Sequence, residues 1–167
     1  MRISIIGHAG SGKSTLAQRI SKKFNIPHLH LDRLWFEAGG PKASSDPGER
    51  KRVAELIRDR VEDFIKQDDW VSDGLYGHVQ PLIANRADTI IFLDISLARR
   101  LCNHLYRTFF AERHSELTRW DDLIFSYQII RRTYKHAPAV QQILREYSSK
   151  VTTLRNYKEV ERYFTSL

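Results

Sequence analysis

The chain has 167 residues, 41% of them hydrophobic and 28% charged, which is the composition of one globular domain and excludes a disordered or fibrous chain. No apolar run approaches the roughly 18 residues of a membrane-spanning helix, and the apolar N-terminal run ends at Gly7, too early for a secretory signal. A single cysteine excludes a disulfide framework, so we expect a cytoplasmic protein without membrane contact. The net charge is +7, and residues 95–167 hold an excess of six positive charges, which indicates an anionic partner: a nucleotide, a nucleic acid or an acidic surface.

Short apolar runs alternate with stretches of helical periodicity along the chain. Strands are predicted at Arg2–Ile6, Pro27–Leu31, Trp70–Ser72, Thr89–Asp94 and Val151–Leu154. Helices are predicted at Ser14–Phe24, Glu49–Ile65, Tyr76–Ala87, Leu97–Phe110, Asp121–Tyr147 and Lys158–Phe164, and a connection at Ala38–Gly48. The alternation predicts an α/β fold, a five-stranded parallel sheet with helices on both faces in three layers. We expect one domain over residues 1–167, because no linker divides the chain.

The strongest motif lies between the first predicted strand and the first predicted helix. Residues 7–15, GHAGSGKST, fit the pattern G-x-x-x-x-G-K-[ST] in full, which is typical of the P-loop NTPase fold. Its glycines let backbone N–H groups converge on phosphate oxygens, and the helix adds its N-terminal dipole. ATP and Mg²⁺ are therefore the predicted cofactors. The predicted nucleotide-binding residues of the loop are Gly7, Ala9, Gly10, Ser11, Gly12, Lys13, Ser14 and Thr15.

Within the loop, three residues have distinct expected roles. Lys13 is expected to reach the β- and γ-phosphates, Ser14 to bind Mg²⁺, and Thr15 to contact the region of the α-phosphate. Two strand ends offer a carboxylate to the same metal. Hydrophobicity favours Asp94, but in small P-loop kinases the third strand in sequence lies beside the P-loop strand, and this topology favours Asp73. Asp94 would then serve as an N-cap or strand-end carboxylate.

With these motifs in place, the chain resembles the adenylate-kinase-like P-loop kinases, and most closely the small bacterial topology modulation proteins. The resemblance rests on the P-loop, the segment PHLHLDRLW at residues 27–35, the ends of the third and fourth predicted strands, and residues 154–160. It implies ATP-dependent phosphoryl transfer to a small acceptor, an acceptor-side insertion at about 33–66 and an arginine-bearing lid at about 108–120. An ATP-binding regulator associated with nucleic acid and an NTPase without a separate acceptor remain alternatives.

The chain departs from this family pattern at the acceptor side and in the lid. Nucleoside monophosphate kinases usually read Asp-Gly-Phe-Pro-Arg where this chain has residues 73–77, DGLYG, so the arginine that would hold an acceptor phosphate is missing. Of two lid arginines expected nine and thirteen residues after Asp94, one position holds Asn103 and only Arg107 is kept. We therefore expect an acceptor that depends little on a phosphate group.

The predicted acceptor site lies at the carboxyl ends of the second and third strands. Its predicted residues are Asp32, Arg33, Trp35, Asp73, Gly74 and Tyr76. Asp32 is expected to orient the acceptor hydroxyl or take its proton, the alternative being an ion pair with Arg33. Trp35 and Phe36 are expected either to wall the acceptor or to pack under the insertion.

Phosphoryl transfer needs cations near the transferring group. Lys13, Asp32 and Arg107 are the predicted catalytic residues. Other candidate cations are Arg131 and Arg132, and Arg113 and Arg119 if the lid closes. The histidines match no metal-ligand spacing, and Cys102 is predicted to lie in the core.

Overall fold

Five parallel strands form one sheet in the order β2-β3-β1-β4-β5. The computed structural model describes residues 1–39, 46–110 and 138–167, with the backbone alone for residues 104–110. The strands are β1 Arg2–Gly7, β2 His28–His30, β3 Trp70–Asp73, β4 Thr89–Leu93 and β5 Val151–Leu154. The P-loop strand β1 is central, with β3 and β4 as its parallel neighbours. The predicted placement of the third strand beside the P-loop strand is confirmed.

Seven helices occur in the described ranges. They are α1 Lys13–Phe24, α2 Leu31–Glu37, α3 Pro47–Phe64, α4 Gln80–Arg86, α5 Leu97–Phe110, α6 with residues 138–146 described, and α7 Tyr157–Ser166, and a 3₁₀ turn spans Ser148–Lys150. Capping residues in the sequence explain where two of these helices begin. The Asp46 side chain accepts from the Gly48 amide ahead of α3, with Pro47 in the first turn, and the Asn156 side chain accepts from the Glu159 amide at the start of α7. These are ordinary N-cap arrangements.

The sheet is buried on both faces, as a parallel sheet covered by helices requires. On one face Ile6 and Trp70 pack with helices α2, α3, α4 and α6. On the other face Ile5 and Val71 pack with α1 and α7. Burial on both faces explains the continuous apolar sequence of β4. The predicted α/β fold with three layers is therefore confirmed.

The structure corrects several predicted boundaries. The second strand ends at His30 rather than Leu31, because the His30 side chain accepts from the Arg33 amide and caps a helix that begins at Leu31. Asp32 therefore lies in the first turn of α2 rather than at a strand end. The helix predicted at 76–87 begins at Gln80. Cys102 is exposed, so its predicted core position is wrong.

Some predicted features fall outside the described residues. They are the middle of the 38–48 connection, the lid beyond residue 110, Arg113, Arg119, Arg131, Arg132 and most of the helix predicted at 121–147. In the ranges that are described, no helix is long and apolar enough to cross a membrane. The division of the chain into one domain with an insertion and a lid stays a prediction.

Candidate active site

The loop between β1 and α1 is folded back on itself around the carbonyl of His8. That carbonyl accepts from the Ser11 amide at 3.2 Å and from Lys13 Nζ at 3.0 Å. Gly7 has φ +149°, and a Cβ there would lie 2.7 Å from the Leu93 carbonyl oxygen. Only glycine fits at that position, because both the backbone conformation and the space exclude a side chain. The loop conformation therefore depends on the motif glycine where β1 ends.

Lys13 is half-buried inside this loop. Burial lowers the pKa of its ammonium group, the carboxylates of Asp32 and Asp73 act in the opposite direction, and the Arg100 guanidinium adds to the lowering. The opposing carboxylates show that Lys13 lies within electrostatic reach of both predicted acidic residues. Lys13 also lines a cavity of about 80 Å³. The other residues of this small cavity are Gly7, His8, Ala9, Asp32, Gly74 and Leu75.

Asp73, at the end of β3, holds a carboxylate that is only 1% exposed. Its Oδ2 accepts a short hydrogen bond from Ser14 Oγ, and its Oδ1 lies 2.9 Å from His28 Nε2. Burial raises the pKa of the Asp73 carboxyl, but the hydrogen bonds from His28 and Ser14, with the nearby His30, outweigh it and leave the pKa below its ordinary value. The group is therefore ionised at neutral pH, and the predicted pair Ser14 and Asp73 is in direct contact.

Asp32 is exposed at the start of α2 and accepts a hydrogen bond of 2.9 Å from the Tyr76 hydroxyl. Both residues follow the carboxyl ends of neighbouring strands, β2 and β3, where ligands bind in open parallel sheets. Asp32 lines the small cavity together with Lys13. Three residues of the predicted acceptor site, Asp32, Gly74 and Tyr76, thus lie together.

Two other predicted acceptor residues lie elsewhere. Arg33 pairs with Glu37 at 2.8 Å rather than with Asp32, and it lines a larger cavity of about 630 Å³ between α1, β2 and α2. Trp35 packs against the core cluster that includes residues of α3. Its ring meets the ring of Phe36 edge to face, with the centroids 5.0 Å apart, and Phe36 is 62% exposed. The core contact of Trp35 agrees with packing beneath the predicted insertion, and the predicted place of Trp35 in the acceptor wall stays a prediction.

Arg100 is a residue of the site that sequence analysis overlooked. It is 2% exposed, and its guanidinium donates to the carbonyls of Ile95 at 2.9 Å and of Ala9 at 3.2 Å. It thereby joins α5 to the P-loop. The available signal was a charged residue within the amphipathic pattern of α5, which is easily interpreted as solvent-facing. Arg107 lies further along the same helix, and its side chain is outside the described residues.

The donor groups of the loop suit a magnesium nucleotide. Ser11 Oγ is completely buried and has no hydrogen-bond partner in the described part of the chain, so a group bound in the loop could supply the missing partner. Ser14 Oγ and the Asp73 carboxylate are the oxygen ligands that Mg²⁺ prefers, whereas Asp94 is exposed beyond β4. Among the described residues no group of three or more histidine, cysteine or acidic side chains is arranged to bind a metal by itself. The residues present fit a metal brought by a nucleotide.

Comparison with known proteins gives sequence relatives at low identity. The chain is 27% identical to an adenylate kinase of Nitrosococcus oceani over 192 aligned positions, covering 96% of this chain and 88% of that protein. It is 29% identical to a shikimate kinase of a Sulfurihydrogenibium species over 102 positions, covering 57% of this chain and 61% of that protein. No family model matches the chain. The relatives support the P-loop kinase part of the predicted resemblance, and the finer likeness to topology modulation proteins stays a prediction.

Solved structures resemble the whole fold. A shikimate kinase from Bacteroides thetaiotaomicron superposes with a TM-score of 0.62 at 18% identity, covering 99% of this chain and 95% of that one. A Thermus thermophilus protein gives a TM-score of 0.61 at 18% identity with the same coverage. The chain thus has the α/β fold of the nucleotide kinases, and its sequence is similar to proteins named as kinases.

Proposed function

We propose that the chain is an ATP-dependent, Mg²⁺-requiring phosphotransferase that acts in the cytoplasm on a small hydroxylated acceptor. One observation carries the proposal: Lys13 and Asp32 line the same small cavity, while the neighbouring Ser14 contacts the buried carboxylate of Asp73. A cation, an acid–base group and a metal-binding pair are therefore adjacent at one sheet edge. The similarity to two proteins named as kinases supports the same class of reaction.

The P-loop would hold the nucleotide. Its backbone N–H groups and the ammonium of Lys13 would neutralise the terminal phosphates, which stabilises the charge that spreads over the transferring group. Ser14 and Asp73 would hold Mg²⁺, which supplies further positive charge and orients the phosphates. Arg107, thirteen residues beyond Asp94, is proposed to complete this set of cations as α5 continues toward the lid.

Asp32 would act on the acceptor. Its carboxylate is exposed and held by the Tyr76 hydroxyl, so it can accept a hydrogen bond from an acceptor hydroxyl. In the transfer, the acceptor oxygen forms a bond to the γ-phosphorus, the bond from that phosphorus to the bridging oxygen breaks to release ADP, and Asp32 receives the hydroxyl proton.

The charge around the cavity favours an acceptor without a phosphate group. Among its described lining residues Lys13 is the only lysine or arginine, and Lys13 is proposed to bind the terminal phosphates of the nucleotide. Arg33, predicted to help hold the acceptor, is paired with Glu37 and lines the other cavity. The two named relatives differ in the acceptor that their names give, so those names do not select one. We therefore propose that AMP is a poor acceptor.

ADP production from ATP and Mg²⁺ tests the proposal. The protein is incubated with AMP, other monophosphates, unphosphorylated nucleosides and small hydroxylated metabolites. We expect turnover with an unphosphorylated acceptor and its loss in Lys13→Ala. The matched control is Lys22→Ala, because Lys22 is an exposed lysine of the same helix, and that variant should retain turnover.

Three results would contradict parts of the proposal. Strong turnover with AMP would overturn the acceptor class. ATP hydrolysis that no acceptor stimulates would indicate an NTPase without a separate acceptor. ATP binding without turnover, together with DNA binding that weakens steeply with salt, would favour the ATP-binding regulator associated with nucleic acid.

A further inference from the structure

The pairing of β2 with β3 places two histidines on the same sheet face as Asp73. His30 is directly opposite Asp73 in the parallel register, and His28 is opposite Val71. Residues two apart on a strand share a face, so both imidazoles lie on the side covered by α1, where Ser14 is found. Their rings stack with centroids 5.9 Å apart and an interplanar angle of 24°. The histidines are thus part of the environment of the candidate metal-binding carboxylate.

The two oxygens of the Asp73 carboxylate have different partners. Oδ2 accepts from Ser14 Oγ, and Oδ1 lies 2.9 Å from His28 Nε2. Because the ionised carboxylate has no proton to donate, the His28 ring must donate from Nε2. A carboxylate that is 1% exposed needs such donors, since burial of an unpaired charge is very costly.

His30 has a different role, although it is closer in register. Its Nδ1 lies 3.6 Å from Oδ1 of Asp73, which is beyond hydrogen-bond distance. The same Nδ1 accepts from the Arg33 amide at 3.4 Å, so it carries no proton to offer to Asp73. His30 therefore caps α2, and in the described part of the chain His28 is the side chain that donates to Oδ1.

We infer that His28 is a positioning residue, which fixes the Asp73 carboxylate so that Oδ2, beside Ser14, faces the metal of a bound magnesium nucleotide. Rotation of the carboxylate that exchanges its two oxygens would break the hydrogen bond between Oδ1 and the His28 ring on β2. Hydrogen bonds to the carboxylates of metal sites affect metal affinity strongly even when the donor never touches the metal. This inference rests on the proposed function, because it assumes that Ser14 and Asp73 hold the metal.

The variants His28→Gln and His28→Asn test the inference as a matched pair. Both introduce an amide of the same polarity, but the glutamine nitrogen can reach the position of Nε2, whereas the asparagine nitrogen is one methylene too short. The measurement is the affinity of the protein for fluorescent ADP, taken once with Mg²⁺ and once with EDTA. The ratio of the two affinities reports how strongly the metal is held, and a purely structural role of His28 would change both affinities equally.

We expect the ratio to fall about tenfold in His28→Asn and to stay within about threefold of the wild type in His28→Gln. The Mg²⁺ concentration that half-saturates turnover should rise in parallel. If His28→Asn does not fold, as judged by circular dichroism, His28→Leu replaces it, because leucine removes the donor without adding a polar group. An unchanged ratio in the folded variants that lack the donor would overturn the inference.

The Asp73→Asn variant separates failure of the inference from failure of the proposed function. A wild-type protein whose ADP affinity is indifferent to Mg²⁺, or an Asp73→Asn variant with the wild-type ratio, would remove the metal role of Asp73 and the inference with it. A ratio that Asp73→Asn lowers and His28→Asn leaves alone would overturn the inference while the proposed function stands.

Discussion

Gly74→Ala should destabilise the protein strongly, because Gly74 is constrained in two independent ways. Its φ is +121°, in a region that L residues avoid, and a Cβ there would lie 2.9 Å from Leu31 Cβ. Leu31 is 1% exposed, so it has little room to move. A Cβ at neighbouring Gly77 would meet no atom within 4 Å beyond its own chain neighbours, and Gly77 lies outside the positive-φ region, which makes Gly77→Ala a matched control in the same loop.

The expected magnitude follows from these two constraints. A residue held in a disfavoured backbone region costs about 1–3 kcal/mol, and an overpacked core position costs about 1–3 kcal/mol. Gly74→Ala should therefore lower the free energy of unfolding by about 2–6 kcal/mol, and Gly77→Ala should change it by less than about 1 kcal/mol. Urea denaturation followed by circular dichroism measures both values.

The same substitution should reach the acceptor side. A shift of Leu31 moves the first turn of α2, which carries Asp32, so the KM for the acceptor should rise more than the dissociation constant for ADP. A Gly74→Ala protein as stable as Gly77→Ala would refute the assignment of the backbone conformation and the packing at Gly74.

Further predictions concern individual side chains. Asp73→Asn should weaken the fall in the free energy of unfolding at acid pH. The folded-state pKa of Asp73 is lowered, so the ionised carboxylate stabilises the fold above the unfolded carboxyl pKa, and this stabilisation is lost as the pH falls below about 4. An acid dependence in urea titrations that equals the wild type would contradict this. Arg100→Met should leave two backbone carbonyls without their donor and lower the free energy of unfolding by about 2–4 kcal/mol in thermal or urea unfolding. Tyr76→Phe should raise the acceptor KM about threefold to tenfold, because Asp32 loses its donor, with ADP affinity unchanged in titrations. Arg107→Lys should lower kcat more than ATP affinity, since lysine lacks the planar fork, and steady-state kinetics showing the reverse would limit Arg107 to ground-state binding.

The parts of the structure that depend on local patterns could be predicted from the sequence. The P-loop motif is contiguous, and its strand and helix follow from short-range periodicity. The alternation of strands and helices restricts the sheet to parallel topologies. The strand order of small P-loop kinases, in which the third strand lies beside the P-loop strand, then favoured Asp73 over Asp94 as the neighbour of Ser14. Their contact joins residues 59 positions apart, and it was predicted from strand order rather than from any local signal.

Other parts depend on tertiary contacts that periodicity does not report. The alternation of apolar and polar residues in HLHLD is typical of a strand, yet the segment turns into a helix after His30, because the imidazole caps it. In α5 the apolar stripe predicted that Cys102 lies in the core, and it gave no prediction for Arg100. Cys102 is exposed instead, whereas Arg100 is buried and its guanidinium donates to the carbonyls of Ile95 and Ala9.

The tether between Arg100 and the Ala9 carbonyl has a mechanical consequence. It clamps the first turn of α5 to the loop that is proposed to carry the nucleotide, and the second bond of the same guanidinium, to the Ile95 carbonyl, clamps that turn to the end of β4. The first turn of α5 therefore cannot shift away from the loop or from the end of β4 without breaking one of these hydrogen bonds. For Arg107 to approach the nucleotide as proposed while these hydrogen bonds persist, α5 would have to bend beyond Arg100.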